Sequence, residues 1–345
     1  MTFDIALLLG QDGITAGAVY ALLAMTMVML FTVTRVIFLP QGEFVAFGAL
    51  TLVDLQAGHF PGVAWLLVAI GVTVAFVDIV VALVRKRSAG IGGSIVRNVV
   101  MPLLIVGALW LMDLKALPLV AQIAIALLVV VPLGPMIYRL AFQPIAEGSV
   151  LVLLIVAVAV HLALVGLGLL VFGPEGSRVN AFVDANFDVG GIFVNGQALM
   201  IIGTSLLLIL GMHQFFARSL HGKALRATAS NRVGARLVGI PPAIAGRRAF
   251  TLAALIGAVS GILIAPITTI YYDTGFLIGL KGFVAAIVGG LVSYPLAAVG
   301  AILVGLLESF SAFYSSAFKE VIVFTLIVPV LLWRSLRSGH GLEDE

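Results

Sequence analysis

The sequence contains no cysteine and very little charge. Only 10% of its 345 residues are Asp, Glu, Lys or Arg, against about 25% in a typical soluble domain. The missing cysteines exclude disulfides, thiol catalysis and cysteine-ligated metal sites. The scarcity of charge, together with a hydrophobic content of 62%, excludes an ordinary soluble domain.

Catalytic and targeting motifs are also missing. The chain has no G-x-x-x-x-G-K-[ST] loop, no H-E-x-x-H and no G-x-S-x-G, and its five histidines are scattered. We therefore predict no catalytic residue, no metal site and no directly bound cofactor. The N-terminus, MTFDIALLLG, lacks the basic region of a signal peptide, so we expect the first helix to act as the insertion signal.

Long apolar segments fill the chain. They recur at the length that a bilayer-spanning helix requires, about 20 residues, and predict an all-α polytopic integral membrane protein. The basic residues between them predict an outside N-terminus and a cytoplasmic C-terminus, because cytoplasmic loops retain Lys and Arg. Eleven crossings satisfy this alternation, and short segments widen the prediction to 9–11 transmembrane or re-entrant helices. The segments are 13–33, 43–56, 62–84, 95–112, 119–138, 150–172, 196–217, 248–271, 279–293, 296–312 and 319–334.

The short segments coincide with a weak internal repeat. Segments 43–56, 279–293 and 296–312 are too short to cross the hydrocarbon core and are typical of half-helices. The tripeptide GAV occurs at 17–19 and again at 257–259, and FVA at 44–46 and again at 283–285. In both places a long helix precedes a short one and the predicted directions are opposite, which suggests an inverted repeat.

One stretch, HGKALRATASNRVGARLVGIPP at 221–242, is polar and basic. No Asp or Glu occurs between Val189 and Tyr272, while seven Lys or Arg residues lie in 218–248, so we predict a cytoplasmic loop. Lys223 to Val238 reads as one helix that Gly239 and the following prolines end. Its small residues suit docking into a groove of another protein. A solvated loop, or an amphipathic helix on anionic lipid, explains the same pattern.

This stretch resembles the cytoplasmic coupling loop of permeases of the branched-chain amino acid ABC importer family. Those loops are similar to the run from Gly222 to Ile240. GITAGAVYALLA (13–24), GEFVAFGA (42–49), GFLIGLKGFVAAIVGGL (275–291) and VGLLESFSAFYSSAFKEVIVFTLIVPVLL (304–332) look like further parts of the H-type subunit of that family. The chain departs from it at Ile37–Gln41, and its region 62–118 looks longer by about one hairpin. Both departures put the usual substrate in doubt.

The resemblance implies a transmembrane permease subunit of an ATP-driven importer, one domain over 1–345 with its coupling loop at 221–242. It implies two ABC ATPase subunits that use ATP-Mg, a second homologous permease or a second copy of this chain, and a periplasmic substrate-binding protein in a bacterial inner membrane. The cargo would be a small polar solute: a branched-chain or other amino acid, an amide, urea or an aromatic carboxylate. The implied ATPase-coupling residues are Ala224, Arg226, Ala227, Thr228, Asn231, Ala235, Leu237 and Gly239.

Ionisable residues inside apolar segments are costly and are candidates for function. Glu43, Lys281 and Glu308 are candidates for the substrate pathway. Each also has a structural interpretation: a charge at a helix N-terminus for Glu43, snorkelling for Lys281, and an ion pair with a base such as Lys319 for Glu308. Structural roles are predicted for Asp78, paired with Arg85, and for His161, packed and hydrogen-bonded.

A self-sufficient secondary transporter or channel is the alternative function. It would need its own coupling-ion site, which normally contains several acids within the membrane. Only Glu43 and Glu308 qualify, so the pattern favours the importer subunit. A membrane-embedded enzyme is disfavoured by the missing catalytic motifs, and the chain shows no nucleic-acid-binding pattern.

Overall fold

The computed structural model describes residues 3–86, 91–189, 192–325, 328–330 and 332. The described chain is helical apart from one two-stranded antiparallel hairpin and its connections. The first half contains α1 (Phe3–Thr34), α2 (Gln41–Ala57), α3 (Val63–Val84), α4 (Ile91–Leu111), α5 (Leu119–Ile145) and α6 (Val150–Phe172). The second half contains β1 (Asn186–Val189), β2 (Ile192–Asn195), α7 (Gly196–Arg218), α8 (Leu220–Ser230), α9 (Arg232–Leu237), α10 (Pro242–Ile264), α11 (Thr274–Val288), α12 (Tyr294–Ser315) and α13 (Lys319–Thr325).

Within the described ranges, eight helices are long and apolar enough to cross a membrane: α1, α3, α4, α5, α6, α7, α10 and α12. This confirms the predicted all-α polytopic class. Helices α2 and α11 are shorter, with 17 and 15 residues, as the sequence predicted for two of its three short segments. The end of the last predicted segment, at 326–334, lies mostly outside the described residues.

Three predicted boundaries were wrong. The third short segment, 296–312, belongs to the 22-residue helix α12, because Ser293 caps its start and the helix continues through Glu308 to Ser315. Helix α1 begins at Phe3 rather than at 13, because the polar residues Gln11 and Asp12 lie within the helix and do not mark its start. Helix α10 begins at Pro242 and ends at Ile264, two residues before Pro266.

The chain forms two compact units, each built from separate stretches. The central unit contains Leu30–Asn180 and Phe215–Leu277, and the terminal unit contains Met1–Met29, Ala181–Gln214 and Ile278–Glu345. In the central unit α2 packs directly on α10. Added Cβ atoms at Gly48 and Gly261 would overlap the backbones of Ala258 and Val45, so glycine permits backbone contact here. Such small-residue contacts drive helix association in lipid.

Helices of the terminal unit also pack closely at glycine residues. Gly13 and Gly17 of α1 leave no room for a Cβ against the backbone of α12, and Gly305 of α12 faces them. Gly282 of α11 abuts the side chain of Leu23 on α1. In the central unit α2, the second helix of the first repeat, packs on α10, the first helix of the second repeat. In the terminal unit α11, the second helix of the second repeat, packs on α1, the first helix of the first repeat. This equivalent pairing supports the suggested repeat.

The polar ends of the helices in the central unit gather into two sets. At one end Asp78 of α3 accepts hydrogen bonds from Ser94 of α4 and from Arg139 of α5. At the opposite end, Gly58, which follows α2, packs closely against the side chain of Lys115 in the α4–α5 connection. Which of these ends faces the cytoplasm stays a prediction from loop charge. The predicted Asp78–Arg85 pair was wrong, because Arg85 follows the last turn of α3 and is exposed, whereas Arg139 reaches Asp78 at 2.6 Å.

We expect Gly261→Leu to destabilise the protein, since the added side chain must displace the Val45 backbone. Overpacking typically costs about 1–3 kcal/mol, and a backbone clash belongs at the upper end. Thermal unfolding in detergent should show a lowered Tm. Gly166→Ala is the matched control, because nothing lies within 4 Å of its added Cβ. An unchanged Tm for Gly261→Leu would contradict the close packing of α2 on α10.

Candidate functional site

The basic segment forms two helices, α8 and α9, and the prediction of one continuous helix was wrong. Asn231 breaks it with an extended backbone (φ −149°, ψ 105°), and its side chain accepts a hydrogen bond from the Gly234 N–H at 2.8 Å. Asparagine competes for backbone donors in this way and is a preferred N-cap. Ser219 caps α8 equivalently, through the Gly222 N–H at 2.9 Å.

Both helices are fastened to the central unit. An added Cβ at Gly222 would overlap the Phe215 backbone, and Leu225 is fully buried. The Arg232 guanidinium donates to the carbonyl oxygens of Val33, at 3.0 and 3.3 Å, and of Ala146, at 3.4 Å. Burial lowers the pKa of Arg232, but arginine stays charged at neutral pH. Arg232 therefore joins α9 to the end of α1 and to the α5–α6 connection.

The opposite face of these helices is exposed and partly apolar. Leu220, Val233, Leu237 and Val238 are 69–83% exposed. Exposed Arg226 lies on the same segment. Large exposed apolar side chains beside arginine are typical of protein–protein contact surfaces. We call the exposed residues of α8, α9 and Val238 the coupling surface.

The eight predicted coupling residues divide between the two faces. Thr228 and Ala235 are buried and hold the helices to their own unit. Ala224 and Ala227 are half-buried, whereas Arg226, Asn231, Leu237 and Gly239 are exposed. Open cavities of about 230 and 670 Å³ flank the segment, the first beside Ala224 and Gly239 and the second beside Arg232 and Arg236.

Glu43 lies at the start of α2 and is completely buried. Its Oε1 lies 2.8 Å from Nδ1 of His161 on α6, and the His161 ring stacks on Phe276 with centroids 4.1 Å apart. The prediction that His161 is packed and hydrogen-bonded is confirmed. The other carboxylate oxygen of Glu43, Oε2, is buried and has no hydrogen-bond partner in the described chain. A buried oxygen of this kind is costly unless a donor reaches it or the acid is protonated.

A second buried cluster lies in the terminal unit. Lys281 of α11 donates to Glu308 of α12 at 2.5 Å and to Glu320 of α13 at 3.1 Å. Tyr20 of α1 donates its hydroxyl to the second oxygen of Glu308 at 2.6 Å. Glu308 thus pairs with Lys281 and not with Lys319. Two acids surround one base, and Glu320 Oε2 is buried without a partner among the described residues.

Sequence reasoning missed three of these residues. Glu320 lies at the start of the last predicted apolar segment, 319–334, and was not singled out as a candidate, and Tyr20 was one aromatic residue in an apolar helix. Arg232 was counted among the basic residues of a loop, and its two backbone acceptors are distant in sequence. A local signal existed only for the helix break, since Asn231-Arg-Val-Gly has the spacing of an Asx cap.

Comparison with known proteins identifies the family of this chain. The sequence model of the family described as "Branched-chain amino acid transport system / permease component" matches residues 11–331. The high-affinity branched-chain amino acid transport system permease protein BraD of Pseudomonas aeruginosa is 29% identical over 290 residues, which cover 82% of this chain and 94% of BraD. LivH of Escherichia coli K12, with the same description, is 28% identical over 93% of this chain and 91% of its own.

A third relative comes from another organism. The probable branched-chain amino acid transport permease protein LivH of Methanocaldococcus jannaschii is 29% identical over 73% of this chain and 78% of its own. The eight long apolar helices and these relatives make the chain a multi-pass membrane protein. The family match covers nearly the whole sequence, so the chain belongs to the family of permease components of branched-chain amino acid transport systems.

Proposed function

We propose that the chain is the transmembrane subunit of an ATP-driven importer that moves a small polar solute into the cytoplasm by alternating access. The coupling surface carries this proposal, because a chain otherwise embedded in lipid presents apolar and basic side chains on two firmly fastened helices. Two ABC ATPase subunits would dock there and use ATP-Mg. A second homologous permease, or a second copy of this chain, would complete the pathway, and a periplasmic binding protein would deliver the solute. The location would be a bacterial inner membrane.

The attachments of α8 and α9 supply a route for movement. When the docked ATPases close, a force on the exposed face passes through Arg232 to the backbone at Val33 and Ala146. Leu225, on the buried face of α8, transmits the same displacement by packing. Helix α10 follows after a connection of four residues, Val238–Pro241. The coupling helices and the adjoining helix ends would therefore move together.

Glu43, Lys281 and Glu308 remain our candidates for the solute pathway. Within the described chain, Lys281 and Glu308 neutralise each other, whereas Glu43 keeps one unpartnered oxygen. That oxygen would accept a hydrogen bond from a solute ammonium or amide group. We therefore assign solute contact first to Glu43, and to the Lys281–Glu308 pair a role in holding the α11–α12 part of the pathway.

The cargo we propose is a branched-chain amino acid or a similarly small polar solute, as for the relatives BraD and LivH. Other amino acids, amides, urea and aromatic carboxylates share the polar groups that a buried carboxylate recognises. The alternative, a self-sufficient carrier, would move solute without ATPase subunits. The coupling surface favours the importer.

We expect Arg226→Glu with Leu237→Asp to abolish ATPase docking without unfolding the chain, because both side chains are exposed. Losing one charge-assisted contact and one apolar contact should weaken co-purification of the ATPase subunits by about tenfold or more. Arg218→Glu is the matched control, since it reverses an exposed arginine in the last turn of α7, outside the coupling surface. Equal loss in both variants would mean a general charge effect. ATP-independent uptake by the chain alone in vesicles would refute the importer proposal.

We expect Glu43→Gln to reduce uptake by about tenfold or more, the scale of one lost charge-assisted hydrogen bond. Basal ATPase activity of the reconstituted complex should persist, because α8 and α9 are untouched. Glu175→Gln provides the control, since Glu175 is an exposed acid outside any helix. Normal uptake by Glu43→Gln would remove Glu43 from the pathway.

We expect Lys281→Met to lower the Tm strongly, because it leaves Glu308 and Glu320 facing each other without a cation. Removing one partner of a buried ion pair typically costs about 3–5 kcal/mol. Adding Glu308→Gln should restore much of the loss, as measured by thermal unfolding in detergent. Additive destabilisation in the double variant would contradict a coupled cluster.

A further inference from the structure

A basic cavity lies at the end of the central unit where Asp78 pairs with Arg139. It has a volume of about 400 Å³ and opens between α3, α4, α5 and α10. Apolar side chains form part of its wall. Its polar lining consists of Arg97, Asn98, Arg139, Arg247, Arg248 and Thr251.

The positive charge of this cavity is largely uncompensated. Asp78 accepts a hydrogen bond from Arg139 at 2.7 Å and forms an ion pair with it at 2.6 Å, and so neutralises that arginine. The part of the chain that the structure describes offers no salt bridge to Arg97, Arg247 or Arg248. Arg247 donates to the neutral amide oxygen of Gln143, at 3.2 and 3.3 Å. Three arginines therefore face one space whose lining contains no acid among the described residues.

Like charges held this closely repel each other. Arg247 lies within electrostatic reach of both Arg97 and Arg139, and the single acid that reaches it, Asp78, is already paired with Arg139 among the described residues. An anion in the cavity would replace this repulsion by attraction. The planar guanidinium matches the oxygens of a phosphate in a two-pronged geometry, which favours phosphate as that anion.

The backbone at the cavity is specialised. Arg97 lies in a π-helical turn, Val96–Val100, and Arg139 lies in another, Tyr138–Phe142. Such turns are rare and occur frequently at functional sites. An added Cβ at Gly71 of α3 would overlap the carbonyl oxygen of Asn98, so close packing holds the first π turn in place. The cavity is built into the helices and does not depend on a loop.

An apolar surface continues from the cavity along α4. Val100, Met101 and Leu104, in the turns after Arg97, are 39%, 52% and 64% exposed. A free phosphate would gain nothing from this surface, whereas an acyl chain would pack on it. Basic pockets between membrane helices bind anionic headgroups by this combination of charge and apolar contact.

We propose that this cavity binds the phosphate of an anionic phospholipid, with Arg97 and Arg248 as direct contacts and an acyl chain along α4. The site does not depend on the solute that the protein carries. It gives a role to the hairpin of α3 and α4, which lies in the region 62–118 that looks longer than is usual in the family. Bound lipid would hold α4 against α10, the helix that follows the coupling surface.

The test is lipid retention by the purified full chain, measured by native mass spectrometry. The probes are phosphatidylglycerol, zwitterionic phosphatidylethanolamine and inorganic phosphate. We expect wild type to retain phosphatidylglycerol, and Arg97→Ala with Arg248→Ala to weaken retention by about tenfold or more, as two lost charge-assisted contacts imply. Arg97→Lys with Arg248→Lys should recover part of the binding, because the charge returns without the planar geometry.

Arg85→Ala with Arg218→Ala is the matched control, since it removes two exposed arginines of the same unit that do not line the cavity. This variant should retain lipid like wild type. Equal loss in both double variants, or equal retention of phosphatidylethanolamine, would overturn the proposal. Binding of inorganic phosphate in preference to phosphatidylglycerol would overturn the lipid assignment. The Tm of each variant without added lipid separates lost binding from lost folding.

Discussion

Backbone contact between helices is the interaction on which this structure depends. Inside a bilayer, apolar side chains gain little by leaving lipid, so helices associate through close packing. The central unit satisfies this at Gly48 and Gly261, where α2 and α10 meet backbone to backbone. The terminal unit does so at Gly13 and Gly17, against α12. The placement of the buried charges follows from these contacts, since Glu43 begins α2 and Glu308 lies on α12.

The second constraint is the cost of charge away from water. Glu43 is paired with His161, and Lys281 with Glu308 and Glu320, each at hydrogen-bond distance. These pairs connect α2 to α6, and α11 to α12 and α13. In the Asp78–Arg139 pair one acid neutralises one base, and we assign this pair a structural role. In the cavity lined by Arg97, Arg247 and Arg248 the bases outnumber the acids, and this excess is the basis of the anion site that we propose.

The sequence was sufficient for whatever depends on local pattern. The membrane class follows from hydropathy, and the basic segment follows from the missing acids around it. Partners distant in sequence were not predictable in the same way. Asp78 was assigned to Arg85, two helical turns away, because the approach of α5 is not visible in a local pattern. The break at Asn231 was missed because the absence of proline indicated continuity, while the cap depends on a side-chain hydrogen bond.

The attachment of α9 has a consequence for variation of this protein. Arg232 donates to main-chain oxygens, at Val33 and Ala146, and those acceptors exist whatever side chain occupies the two positions. Positions 33 and 146 can therefore change in evolution, within the limits of local packing, without loosening the joint. Position 232 has no such freedom, because a shorter or less branched base cannot reach both carbonyl groups at once. We therefore expect selection to constrain the side chain at position 232 more strongly than those at positions 33 and 146.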